Sequence, residues 1–332
     1  MIKVGIAGFG KIGKIRADEI AKRNDCVLTG IFDIKKPDNI SINIDFFPDY
    51  EDLINSGIDA IFICTYNNVL ADFTIKAINS GIHVFCEKPP ARTVKELMQV
   101  KENHNNSKVK LKYGFNHRYH YSVMEAKKLI DNSIYGKIIW IRGVYGKAGS
   151  IDYNSNWRNY KKFSGGGILI DQGIHMLDLI KFVLNKEFIS IKSFIQNSYW
   201  KVEGEDNAFA IMKTEDNVIA SIHSSATQWR HKFLLEICCE NGMITLDGIL
   251  SKTNSYAPEK LIITNREFED ITFAMGKPKE ETVWFSNDDS WFLEVDEFIT
   301  SIKNDSAIIN GTIDDAIETL TLVEKIYDSN DF

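Results

Sequence analysis

Asp171, His175 and Asp178 follow an i, i+4, i+7 spacing inside the stretch GGGILIDQGIHMLDLI, residues 165–180. At about 100° per residue, that spacing places them within one narrow stripe of a helix. Ile170, Ile174 and Leu177 lie on one flank of the stripe, and Met176, Leu179 and Val183 on the other. A helix apolar on both sides is buried, and buried carboxylates are costly unless they have partners or a task. An imidazole titrates near neutrality with little shift, so His175 is suited to general acid–base work. An i, i+4 pair could instead chelate zinc or iron, but no second cluster supplies softer ligands, so no metal site is expected. Asp178 is expected to cap or pair near a domain junction.

A second chemistry lies at the start of the chain. GFGKIG spans Gly8, Phe9, Gly10, Lys11, Ile12 and Gly13 in the G-x-G-x-x-G spacing. The motif follows an apolar strand and opens a helix, and Asp33 ends the next strand, which is the context of a dinucleotide site. Gly8 would permit the tight turn, Gly10 the approach of a pyrophosphate, and Gly13 the packing of helix on strand. The helix N-terminus would supply N–H groups and positive potential to the diphosphate. Asp33 would accept hydrogen bonds from a ribose diol and repel a 2′-phosphate. That favours NAD over NADP, although Lys35 and Lys36 weaken the preference.

Two further strands end in polar residues, and strand C-termini are where a doubly wound sheet binds its ligand. CTYNN makes Thr65 and Asn67 candidates for the nicotinamide side, and FCEKPP places Glu87 and Lys88 at the same crevice.

The elements that must position these groups come in two styles. Residues 1–118 alternate strands (2–7, 26–33, 59–65, 82–87, 109–115) with helices (11–24, 69–80, 92–104), as in a Rossmann-type α/β unit with a parallel sheet. From 119 to 332 the pattern changes. A helix at 121–131 and a strand at 137–146 precede the loop 147–164 and the stretch that begins GGG. Next come strands at 187–197, 207–214, 217–225, 231–239, 243–247 and 260–264, with helices near 289–303 and 312–328. Alternation as in VIASIHSS suits an open, mostly antiparallel sheet covered on one face. The final helix is expected to pack back on the first domain.

The chain of 332 residues is 44% hydrophobic and 26% charged, with a formal net charge of −7, which argues against a nucleic-acid binder. Its five cysteines form no CxxC pair and read as buried free thiols of a reducing compartment. No apolar run reaches the roughly 18 residues that cross a bilayer, and the chain opens directly on a strand without a signal segment. A cytoplasmic protein with no membrane partner is expected.

The glycine fingerprint, AINSGIHVFCEKP, YGFNHRYH and GGGILIDQGIHMLD, in that order, resemble the glucose–fructose oxidoreductase / inositol dehydrogenase (Gfo/Idh/MocA) family of NAD(P)-dependent sugar dehydrogenases. The resemblance implies a Rossmann domain followed by a helix and an open sheet that packs in homodimers or homotetramers. It implies that Lys88, Asp171 and His175 are catalytic. His175 takes the carbinol proton, Lys88 holds the same oxygen, and Asp171 bonds a neighbouring hydroxyl and tunes the other two. The segments NHRY and NWRNY match parts that line the sugar pocket, which makes Asn116, Arg118, Trp157 and Arg158 substrate candidates. Tyr145, Trp229 and Arg230 are weaker ones. Arg118, Arg142, Arg158 and Arg230 lean the substrate toward an anionic or nucleotide-linked sugar, with a neutral sugar or cyclic polyol the alternative. The chain departs from the family after Thr65, where Tyr66, Asn67 and Leu70 stand in place of a T-P-N…H loop, and in EKPP. The Lys88–Pro89 bond is cis in relatives. The family also contains a sugar-regulon repressor without catalysis, so a non-catalytic NAD(P)-binding regulator is the rival reading.

Overall fold

The computed structural model describes residues 1–38, 43–149, 153–267 and 278–330. Residues 150–152 of the loop 147–164, and 268–277, lie outside the described residues. In chain order the elements are β1 (Ile2–Ala7), α1 (Lys11–Ile20), β2 (Cys26–Phe32), β3 (Asp45–Phe47), α2 (Tyr50–Ile54), β4 (Ala60–Ile63), α3 (Asn67–Asn79), β5 (His83–Glu87), α4 (Val94–Asn105) and β6 (Leu111–Gly114). They continue with α5 (Tyr121–Asp131), β7 (Ile138–Gly146), the single turn α6 (Lys161–Ser164), α7 (Ile174–Leu184), β8 (Phe188–Gln196) and β9 (Asn207–Thr214). Next are β10 (Ile219–Ser225), β11 (Lys232–Cys239), β12 (Gly242–Asp247), β13 (Glu259–Asn265), β14 (Glu280–Phe285), α8 (Ser290–Asn304) and α9 (Ile313–Asp328).

Two compact units emerge, and neither is a single run of chain. The first comprises Met1–Asn116, Lys162–Gly165 and Asp289–Thr321, and the second His117–Lys161, Gly166–Asp288 and Leu322–Phe332. The boundary expected near 118 is close, but 289–321 belongs to the first unit rather than to a continuous 119–332 domain. The reason is apolar: Val295, Phe298 and Ile299 of α8 are fully buried in one cluster with Val4, Ile6, Phe62 and Phe85 of the first sheet. A parallel sheet must be covered on both faces, and α8 supplies part of that cover.

The first unit's sheet is ordered β3-β2-β1-β4-β5-β6, with every pair parallel. The order reverses between β1 and β4, which is the switch point where such sheets bind ligands. The second unit's sheet has eight strands ordered β14-β13-β12-β11-β7-β10-β9-β8, antiparallel except for β7 with β10. Along β9 the burial alternates. Ala208, Ala210 and Met212 face inward, whereas Phe209 and Ile211 stand exposed. Phe209 stacks on His223 at 3.9 Å and pairs in register with exposed Phe194. One face of this sheet therefore carries apolar side chains open to solvent.

Candidate active site

In the first unit the glycine loop fits the expected geometry. Gly8 has φ +88°, and a Cβ there would lie 2.5 Å from the carbonyl oxygen of Cys64, while one on Gly13 would lie 2.1 Å from that of Gly8. β1 and the end of β4 thus meet across the switch point. A Cβ on Gly10 would meet nothing within 4 Å, which leaves open space at the N-terminus of α1. Asp33 accepts the backbone N–H of Phe9 at 2.7 Å, so one of its oxygens fixes the loop. It lines an open cavity of about 250 Å³ with Phe9, Lys14, Lys35, Lys36, Pro37 and Asp38. The hydroxyl of Thr65 and the Oδ1 of Asn68 are buried and have no hydrogen-bond partner among the described residues. Buried polar groups are ordinarily paired, so both suit a bound nicotinamide nucleotide.

Three assignments on this unit change. The Asn67 amide donates to the carbonyl of Ser164 at 2.9 Å and pins the 162–165 segment, so its side chain is structural. Asn68, one residue on, is the one with an open acceptor. The Glu87 carboxylate receives Nε and Nη2 of fully buried Arg16 on Oε1, at 2.7 and 2.6 Å, so that oxygen already serves the scaffold. The same Nη2 reaches Glu294 of α8 at 2.6 Å. Asn116 donates to the Ser290 hydroxyl at 3.2 Å, which ties the end of the first run to α8. Lys88 follows Glu87 directly, and the Lys88–Pro89 peptide is cis.

In the second unit the stretch 165–184 is not one helix. Leu169–Gly173 forms a π turn, and the α-helix begins only at Ile174. The stripe expected at 100° per residue therefore breaks at Asp171, because a π turn is wider than an α turn. Such turns recur at functional sites. Glu205 holds this one. Its two oxygens accept the N–H groups of Gly167 and Leu169, each at 2.9 Å, and also the Tyr327 hydroxyl. Burial nevertheless pushes the Glu205 carboxyl above its ordinary value. A Cβ on Gly167 would lie 2.2 Å from the Glu205 carbonyl oxygen, so this glycine serves packing on Glu205 and not approach to a ligand.

Within the π turn Asp171 meets two cations. Lys147 reaches Oδ2 at 2.7 Å and Arg158 reaches Oδ1 at 3.3 Å. The side chains are 13% exposed for Asp171, 19% for Lys147 and 40% for Arg158, so the cluster is open to solvent. The Arg158 guanidinium also lies over the Trp157 ring at 4.5 Å. His175 is buried and stacks on His117 with ring centroids 3.8 Å apart. His117 Nε2 lies 3.0 Å from the Tyr145 hydroxyl, and burial, Tyr256 and Asp171 push the Tyr145 phenol far above its ordinary value. Asp178 and Arg118 form a buried bidentate pair, with 2.6 and 2.9 Å contacts. Asp178 is thus structural as expected, and Arg118 is its partner rather than a substrate ligand. Arg142 is likewise held by Glu236 at 2.6 Å and Arg158 is paired with Asp171, whereas Arg230 is exposed.

The family profile described as "Oxidoreductase family, NAD-binding Rossmann fold" matches residues 2–115, and that of the GFO/IDH/MocA C-terminal domain matches residues 123–245. The chain belongs to the GFO/IDH/MocA family. It is 22% identical over 263 residues to myo-inositol 2-dehydrogenase of Thermotoga maritima, covering 76% of this chain and 77% of that one. Identity to D-glucoside 3-dehydrogenase of Escherichia coli is 26% over 244 residues, or 69% of each chain. Among solved structures, levoglucosan dehydrogenase in complex with NADH and L-sorbose superposes with a TM-score of 0.86 at 19% identity, over 99% of this chain and 96% of that one. The protein is an oxidoreductase with an NAD-binding Rossmann domain, and NAD is its cofactor.

Lys147, His117 and Tyr145 gather around the family's D-x-x-x-H element, yet of these three only Tyr145 carried even a weak sequence signal. Lys147 directly follows the end of β7, a position whose meaning depends on which strand end faces Asp171. Among the described residues no group of three or more His, Cys, Asp or Glu is placed to hold a metal ion. No helix among them is long and apolar enough to cross a membrane. All five cysteines are free thiols.

Proposed function

We propose that the enzyme oxidises or reduces one secondary alcohol or ketone of a sugar, sugar nucleotide or cyclic polyol, with Lys88, Asp171 and His175 as the catalytic group. NAD, when bound, supplies the hydride acceptor. His175 takes the carbinol proton, a role that asks for a base titrating near neutrality. Lys88 holds the same oxygen and lowers the cost of its developing charge. Asp171 bonds a neighbouring hydroxyl while Lys147 and Arg158 pair with its carboxylate. The reading requires Lys88 of the first unit and the pair of the second to reach one substrate carbon. The observation that carries it is the partly open Asp171 on a π turn, leading into the helix that buries His175. The glycine loop, Asp33, Thr65 and Asn68 support the NAD side, and Lys14, Lys35 and Lys36 around the cavity support some use of NADP.

We further propose a homodimer or homotetramer formed through the open face of the eight-stranded sheet. Phe194, Phe209 and Ile211 would be buried there. A cytoplasmic location fits five free thiols.

The test mixes purified protein with NAD or NADH and a panel of sugars, inositols, UDP-sugars and 3-keto sugars, following absorbance of the reduced nicotinamide. Turnover of at least one of these is expected. Binding of NADH without turnover of any would favour the non-catalytic, sugar-sensing regulator instead.

A further inference from the structure

The loops at one end of the eight-stranded sheet carry a group of aromatic residues, among them Trp229, one of the weaker substrate candidates. Gly146, Ser225, Asn207 and Gln196 stand in register across β7, β10, β9 and β8. The segments leaving β7, β10 and β8 therefore emerge together. Lys147, the first residue beyond β7, comes from this end to pair with Asp171.

At the same end Tyr199, Trp200 and Trp229 pack edge to face. The Tyr199–Trp200 centroids are 5.1 Å apart, Tyr199–Trp229 5.0 Å and Trp200–Trp229 6.4 Å. The cluster is continuous with the Asp171 site. Trp200 lies 4.6 Å from the Tyr153 ring, and the Lys147 ammonium sits 5.8 Å from that ring's centre. It is also rigid. The Asp206 carboxylate accepts the backbone N–H groups of Ser198, Tyr199 and Trp200 at 2.9, 2.7 and 3.0 Å, and the Trp200 indole donates to the Ala226 carbonyl at 2.8 Å. Yet Trp229 is 61% exposed and Tyr199 57%. Fixed aromatic rings facing water lose little entropy when a flat apolar surface covers them.

We propose that Tyr199, Trp200 and Trp229 form a stacking subsite for a second sugar ring, so that the preferred substrate is a two-ring glycoside rather than a free monosaccharide. The inference rests on the proposed sugar chemistry at Asp171 and His175. A pyranose presents one face of C–H groups to such rings, while Lys147 and Asp171 offer polar partners to the ring that reacts.

The experiment compares glucose with maltose, cellobiose and trehalose, reading KM by reduced nicotinamide and binding by tryptophan fluorescence in the presence of NADH. At least one disaccharide is expected to show a KM about tenfold below that of glucose and to quench fluorescence. Trp229→Ala should remove that advantage while leaving NADH binding unchanged, and Trp229→Phe should restore most of it. Equal KM values for one and two rings, or a disaccharide advantage that survives Trp229→Ala, would overturn the subsite and leave the reaction standing. Failure of every sugar to bind or turn over would overturn both. A Trp229→Ala enzyme of altered native mass would assign the aromatics to a second copy of the chain and overturn the subsite.

Discussion

The two units each hold a cluster of acids and bases, built with opposite balance. In the first, one guanidinium serves two carboxylates, Arg16 between Glu87 and Glu294, and all three are buried. Arg16 also lies between the rings of Phe85 and Trp291, at 4.3 and 4.5 Å. In the second, one carboxylate serves two cations, Asp171 with Lys147 and Arg158, at the edge of solvent. The sealed cluster joins α1, the end of β5 and α8, and nothing can displace its partners without opening the fold. The open cluster can trade a contact with a substrate hydroxyl. Burial and charge balance, more than the presence of ion pairs, separate the scaffold from the site.

Substitutions can break this contrast, and the largest effect should come from the open side. His175→Ala should lower kcat by about 10²–10⁴, the usual contribution of a positioned acid or base, with NADH affinity unchanged. An unaltered rate would remove His175 from the reaction. In the sealed cluster, Arg16→Met leaves two buried carboxylates facing each other. A loss of about 3–5 kcal/mol is expected, as when a buried pair loses one partner, read from urea midpoints. A loss below about 1 kcal/mol would mean the cluster is not the anchor described.

The sealed cluster should also show in the pH dependence. Burial, together with neighbouring Glu87, pushes the Glu294 carboxyl up to about 7 against the pull of Arg16 and Lys112. Between its ordinary value of 4.5 and about 7, the folded state keeps a proton that the unfolded chain releases. Stability therefore falls as pH rises through that window. Glu294→Gln should flatten this slope in urea midpoints measured from about pH 5 to 8; an equally steep slope in the variant would place the titration elsewhere. The smallest effect belongs to the rim of the open cluster. Lys147→Gln should cut kcat/KM about tenfold while moving stability by less than about 1 kcal/mol. If stability moves more than activity, the open cluster is scaffold too.

Much of this was legible in the sequence where a local rule decides the outcome. The bounds read for β9 and α5, 207–214 and 121–131, coincide with the structure, and the glycine loop announced its turn, strand and helix. The readings that changed all depend on partners distant in sequence. Arg118 and Asp178 are a pair only once a helix brings them together, and Glu87 is structural only because Arg16 lies beneath it. The π turn left no periodic mark, because it is held by Glu205, a residue of the loop before β9. β3 and α2 were missed as too short for a pattern, and β14 as an edge strand whose residues are mostly exposed. Asn68 was passed over for Asn67, since only packing shows which amide is already used.

The return of α8 to the first sheet also bears on synthesis. The ribosome completes every strand of that sheet by Gly114 but does not reach Val295, Phe298 and Ile299 until the second unit's strands have all been made. At about 5–20 residues per second, the nascent Rossmann sheet waits roughly ten to forty seconds with an apolar face uncovered. A chaperone that shields that face co-translationally, or a fragment ending near residue 118 that precipitates when expressed alone, would be the cellular trace of a helix delivered last.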